Sequence, residues 1–166
     1  MRITLLAVGR LRKSPELTLI DDYLDRFART GRGLGLPPVQ VIEIEDRRGS
    51  GMAGEAPLIE RAIPTGAFVV MMDERGEQSS SPDLASRIGN MRDQGRDICF
   101  IIGGADGIDP GLRNRADWQI SLGRMVWPHM LVRVMLAEQL YRAASIMAGT
   151  PYHRGGMTAG SSRQSR

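Results

Sequence analysis

Asp97-Ile98-Cys99-Phe100-Ile101-Ile102-Gly103-Gly104 sets an unbroken apolar run between an acid and a pair of glycines. The run is too short for a helix and has no polar alternation, so it reads as a strand covered on both faces, as in a parallel sheet. Ala67-Phe68-Val69-Val70-Met71-Met72 has the same character. Ile3–Val8, stopped at Gly9, and Trp118–Leu122 are two further short apolar segments. Val39-Gln40-Val41-Ile42-Glu43-Ile44 alternates instead, as a half-buried strand does.

Helical signals fall between these strands. Ser14-Pro15-Glu16 supplies a cap, a first-turn proline and an early acid. Leu17, Ile20, Leu24 and Phe27 follow at helical spacing, and Thr30-Gly31 is the expected stop before a breaker-rich loop over 31–38. Asp46–Gly54 reads as a mobile polar loop and Glu55–Ile63 as a short helix. Ser81-Pro82-Asp83 starts another helix that runs to about Gln94, and Pro110–Ala116 is a helical turn. Met130–Ala148 is the longest helix, with Val132, Leu136, Leu140, Ala143 and Met147 on one face. The order β-α-β-α-β-α-β-(turn)-β-α predicts an α/β fold, a parallel-rich sheet with flanking helices. The Gly/Ser/Arg-rich tail 155–166 has the composition of a disordered segment.

A chain of 166 residues, 42% hydrophobic and 25% charged, accommodates one domain with a real core. No apolar run approaches the roughly 20 residues of a membrane span, and the N-terminus lacks a signal peptide's long apolar core. A cytoplasmic location is the default expectation. Cys99 lies inside an apolar strand and reads as a structural thiol. The net charge of +3 is a weak pointer to an anionic partner, but its layout is stronger. From Trp118 onward there are six arginines and a single acid, Glu138, whereas the preceding residues carry 18 of the 19 acids.

In open α/β sheets ligands bind beyond the carboxyl ends of the strands. Three such ends stand out: Met71-Met72-Asp73, Ile102-Gly103-Gly104-Ala105-Asp106-Gly107 and Leu122-Gly123-Arg124-Met125-Val126-Trp127. Neither GxGxxG after the first strand nor GxxxxGK[ST] occurs, so a dinucleotide or P-loop reading lacks its fingerprint. Asp73, Asp106 and Asp109 are better explained as turn residues than as metal ligands, and no metal is expected. Both histidines, His129 and His153, lie in the C-terminal stretch, which concentrates proton chemistry near neutral pH there. Glu138 and Arg142 are an i,i+4 pair, worth about 0.2–0.5 kcal/mol if merely exposed. On an otherwise almost uncharged helix, Arg133, Glu138 and Arg142 are expected to face a partner or ligand.

Gly9, Ile101-Ile102-Gly103-Gly104-Ala105-Asp106-Gly107, Ser121-Leu122, Pro128-His129-Met130-Leu131-Val132-Arg133, Ala137-Glu138-Gln139-Leu140-Tyr141-Arg142-Ala143 and Pro151-Tyr152-His153 follow one another in this order. The set closely resembles the RlmH (YbeA-like) family of 23S rRNA pseudouridine methyltransferases in the SPOUT superfamily, over about residues 1–154. The resemblance implies a C-terminal deep trefoil knot, a homodimer, and S-adenosylmethionine held by Met72, Gly103, Gly104, Leu122, Gly123, Arg124, Met125, Val126 and Trp127. It implies methylation of N3 of a pseudouridine in a 23S rRNA stem-loop, on the assembled ribosome. In that reaction His153 takes a proton-accepting or base-orienting role, Tyr152 positions the base, Arg142 and Arg154 supply positive charge, and Arg133 serves the RNA or the dimer. His129 would shape the knot loop.

Two features depart from the family pattern. Gly123, Val126 and Trp127 replace a usual serine, a threonine and an aliphatic or phenylalanine residue in the knot loop, and the chain continues past Pro-Tyr-His. The altered loop leaves open a non-catalytic, ribosome-associated RNA-binding protein. A related SPOUT methyltransferase acting on tRNA is the other alternative.

Overall fold

The computed structural model describes residues 1–155; the expected disordered tail therefore lies, but for Gly155, outside the described residues. In chain order the elements are β1 (Ile3–Val8), α1 (Pro15–Arg32), β2 (Val39–Ile44), α2 (Gly51–Ala62), β3 (Phe68–Gln78), α3 (Ser81–Asp93), β4 (Ile98–Ile102), α4 (Pro110–Arg113), β5 (Trp118–Ser121) and α5 (His129–Ala148). The five strands form one sheet in the order β2-β1-β4-β3-β5, with every pairing parallel.

Strand periodicity sorts the core into two layers. Ile3, Leu5 and Ala7, Phe68, Val70 and Met72, and Ile98, Phe100 and Ile102 face one side, where Phe27 of α1, Leu84 and Ile88 of α3, and Leu136 and Leu140 of α5 cover them. Leu6, Val8, Val69, Met71, Cys99 and Ile101 face the other side, against Ile59 of α2 and Leu112 of α4. The central strands need apolar residues at consecutive positions because both faces are covered. β2 lies at the sheet edge and keeps only Val39, Ile42 and Ile44 partly buried.

The structure corrects several expected boundaries. α1 runs through Gly31 to Arg32. Gly31 is buried because Leu36 folds back on it: a Cβ there would sit 3.0 Å from Leu36 Cβ. The turn is made instead by Gly35, at φ +72°. The expected loop Asp46–Gly54 is shorter, since α2 begins at Gly51 and continues past Pro57. β3 extends to Gln78, shifting its register against β5 between Met72 and Glu77. Ser80 rather than Ser81 caps α3, in a reciprocal capping box with Asp83.

Candidate active site

A cavity of about 700 Å³ opens at the carboxyl ends of β3, β4 and β5. Met72, Ile102, Gly103, Gly104, Ile108, Ile120, Leu122 and Gly123 line its depth, and Met125–His129 its mouth. Of the expected cofactor contacts only Arg124 is missing from the wall; it is exposed. The β4 end is a tight turn. Gly107, at φ +86°, donates its amide to the Gly104 carbonyl, and a Cβ on Gly103 would lie 2.7 Å from the Gly107 oxygen. A Cβ on Gly104 would sit 2.9 Å from Glu55 Oε1 and 3.2 Å from Val8 Cγ1. Burial, then the charges of Asp106 and Asp46, raises the Glu55 carboxyl above its ordinary range.

The loop after β5 is closed by Ser121. Its hydroxyl donates to the Gly123 carbonyl (2.8 Å) and accepts from the Gly123 amide (3.1 Å). Gly123 sits at φ +121°, a region open to glycine and costly for other residues, so the loop's shape depends on a glycine at this position. Met125 and Val126 stand out, 74% and 78% exposed, with Trp127, Met130 and Leu131 beside them in sequence also exposed.

A second cluster lies farther along α5, with Glu138 at its centre. Glu138 Oε1 accepts from Arg142 Nε (3.0 Å), Arg142 Nη2 (2.5 Å) and the Tyr152 hydroxyl (3.0 Å). The Tyr152 ring sits 4.5 Å from that of Tyr141, and the Arg142 guanidinium 4.8 Å over it. Arg142 Nη1 lies 3.4 Å from His153 Nδ1. Arginine can only donate, so Nδ1 accepts, and a neutral His153 ring carries its proton on Nε2. Burial first, and the Glu138 bond second, push the Tyr152 hydroxyl up to about 12, so it stays protonated. Arg154 is exposed and, among the described residues, in no ion pair.

Arg133, expected to serve the RNA or the dimer, lies in the interior of the chain. It is 3% exposed, and its guanidinium donates to Glu43 Oε2 (2.8 Å), the Val8 carbonyl (2.9 Å) and the Gly9 carbonyl (2.5 Å). It is an interior strut from the first turn of α5 to the end of β1. His129 opens α5 at the cavity wall, where burial and then the Arg133 charge lower its affinity for a proton.

The cavity and the Glu138 cluster do not meet within one chain. Arg142, Tyr152 and His153 are absent from the cavity wall, whereas His129 is part of it. Arg142 follows His129 by thirteen residues on the same helix, about 20 Å along its axis. The sequence places Glu138 among the α5 charges expected to face a partner or ligand, but gives it no catalytic role. Its signal was its place as the single acid after Trp118. Among the described residues no three His, Cys, Asp or Glu side chains are grouped to hold a metal, and no helix is long and apolar enough to cross a membrane.

A family model described as "Predicted SPOUT methyltransferase" matches residues 1–153. The ribosomal RNA large subunit methyltransferase H of Paracoccus denitrificans is 66% identical over 154 residues, 93% of this chain and 99% of that protein. The protein of the same name from Roseobacter denitrificans is 66% identical over 155 residues, with the same coverage. Among solved structures, a probable methylase family protein from Haemophilus influenzae shares the fold, with a TM-score of 0.50 at 10% identity, covering 95% of this chain and 72% of that one.

Proposed function

This chain belongs to the SPOUT methyltransferase family, and from that membership we propose that it is an S-adenosylmethionine-dependent enzyme methylating N3 of a pseudouridine in a 23S rRNA stem-loop. The observation that carries the reading is the 66% identity across 93% of the chain to proteins named for large-subunit rRNA methylation. In this reading residues 1–154 are the catalytic domain, and the segment from β5 to α5 is threaded as the family's trefoil knot.

The cavity suits the cofactor. Its volume of about 700 Å³ lies within the usual range for small-molecule sites. Apolar walls from Met72, Ile102, Ile120 and Leu122 suit an adenine, and the backbone of Gly103, Gly104 and Gly123 is approachable. The cofactor supplies a methyl group already activated on a sulfonium. The protein's task is then to align the acceptor nitrogen, to ease the loss of its proton and to stabilise the charge left on the flanking carbonyls.

His153, with Nδ1 accepting from Arg142, presents Nε2–H as a donor to one of those carbonyls. This favours the base-orienting role over the proton-accepting one: the donor stabilises the anion and lowers the acidity threshold of N3, and the proton passes to water. Arg142 adds positive charge. Tyr152, held by Tyr141, Arg142 and Glu138, fixes the position of its neighbour. Arg154 is free to meet phosphate.

The reacting atoms of a methyl transfer must come within about 3–3.5 Å. One chain keeps its cavity and its Tyr152–His153 end far apart, so a homodimer would set the end of one copy over the cavity of the other. The exposed Met125, Val126, Trp127, Met130 and Leu131 would be covered in it.

Purified protein incubated with labelled S-adenosylmethionine and ribosomes lacking the modification should methylate a single 23S pseudouridine, read by mass spectrometry of the rRNA. Label in tRNA, or none at all, would overturn the reading. In the same assay His153→Gln, which keeps an N–H near the Nε2 position, should retain more activity than His153→Ala. Equal loss in both would remove the donor role.

A further inference from the structure

Arg10, Arg12 and Lys13 lie in the β1–α1 loop, and Arg47 and Arg48 in the β2–α2 loop. Both loops leave the carboxyl ends of neighbouring strands, since β1 and β2 pair in register from Ile3↔Val39 to Val8↔Ile44. All five side chains are exposed. Among the described residues none of them is in an ion pair, whereas Arg2, Arg26, Arg29, Arg92, Arg96 and Arg115 each have an acid within 4 Å. Nearby acids are engaged elsewhere. Glu43 holds Arg133 and accepts from the Leu11 amide (2.6 Å), and Asp46 accepts from the Arg48 (3.0 Å) and Ser50 (2.6 Å) amides. Glu45 and Glu16 remain as opposing charges, fewer than the cations they face.

The first of these loops is held in place rather than free. Gly9 donates its amide to the Ile44 carbonyl (2.7 Å), Leu11 is tied to Glu43, and the buried Arg133 grips Glu43 and the Val8 and Gly9 carbonyls together. A loop ordered in advance loses little entropy on binding. Its position is next to the cavity: Val8, where β1 ends, packs against Gly104 of the cavity wall.

We infer that these two loops form a phosphate-binding shelf for the RNA backbone flanking the target base, an inference that rests on the RNA-methyltransferase reading above. Four of the five cations are arginines, whose planar forks match phosphate oxygens. Neither loop has an exposed large apolar side chain, so the shelf lacks the apolar centre that a protein partner would need. Arg133 thereby serves RNA binding from inside the protein, by holding the shelf in place.

The test compares the wild type with Arg10→Ala/Arg12→Ala/Lys13→Ala and with Arg47→Ala/Arg48→Ala. Binding of a fluorescent rRNA stem-loop is followed by anisotropy across a salt series, with S-adenosylmethionine affinity measured by calorimetry. The slope of log K against log salt should fall by about three units in the triple variant and about two in the double, near one per lost phosphate contact. Cofactor affinity should not change. An unchanged slope in both variants, or weaker binding at unchanged slope, would overturn the shelf. A wild type that binds the stem-loop but methylates no rRNA would overturn the functional reading and leave the shelf standing.

Discussion

Tyr152 shows how one carboxylate organises several side chains. Its hydroxyl is pushed up to about 12, by burial first and by its bond to Glu138 second. A folded-state value above the unfolded one of about 10 means that the folded protein holds this proton more tightly. The associated stability is fully present below pH 10 and is lost as pH rises from about 10 through 12. Tyrosinate absorbance, taken as the difference from Tyr152→Phe, should titrate near the upper value, and Glu138→Gln should bring the midpoint down. If it does not move, burial alone holds the proton. Because Glu138 also takes two Arg142 bonds, Glu138→Gln should lower kcat by about 100-fold through misplacement of Arg142 and His153. An effect on cofactor affinity alone would refute that role. Arg133 makes the contrasting case of a charge used inside. Arg133→Met leaves the Val8 and Gly9 carbonyls without this donor and Glu43 with only the Leu11 amide, so it should destabilise the fold by about 1–3 kcal/mol in urea unfolding. A cost below about 1 kcal/mol would mean that water replaces the guanidinium.

At the scale of elements, the close seam is β3 against β5. A Cβ on Gly76 would meet backbone atoms of Gln119 at 2.7 Å and of Ile120 at 2.8 Å, and backbone cannot move aside as a side chain can. Gly76→Ala should therefore push β5 outward, cost about 1–3 kcal/mol and weaken S-adenosylmethionine binding, because Ile120 and Leu122 line the cavity. Gly33→Ala, with nothing within 4 Å of its Cβ, is the control and should do neither. Equal behaviour of the two would show that the seam is not tight. The same elements show what sequence can disclose. The continuous apolar runs of β1, β3 and β4 identify themselves, since burial on both faces leaves no room for polar alternation. Gly31 does not: a glycine that ends helices elsewhere is kept here for contact with Leu36, a tertiary reason invisible to local pattern. α2 is obscured in the same way, by Gly51, Gly54 and Pro57, each a poor helix residue locally. Arg133 reads from sequence as a charge facing a partner or ligand, because its carbonyl acceptors, Val8 and Gly9, lie more than a hundred residues earlier in the chain.

For the whole molecule, the distance between cavity and Glu138 cluster makes oligomeric state a matter of chemistry. Each chain carries both the cavity and the Glu138 cluster, the two halves proposed above for one site, at opposite ends of α5 and at a separation that a single target base cannot bridge. In a two-fold dimer each site would combine the cavity of one copy with the Tyr152–His153 end of the other. A cavity variant, Gly104→Val, whose side chain would enter space held by Glu55 and Val8, disables one half. His153→Ala disables the other. Each homodimer then has two dead sites. A mixed dimer has one site with both defects and one with neither. If the variants are unfolded together, refolded in equal amounts and exchange freely, half of the dimers are mixed, and rRNA methylation should recover to about one quarter of the wild-type rate. Sites contained within single chains would give no recovery, since every chain in the mixture carries a defect. Thermal midpoints of the two separate variants close to that of the wild type show that the silence of each homodimer comes from the site and not from unfolding. Recovery that rises with the product of the two variant concentrations would then assign the cavity and the histidine of one active site to different chains.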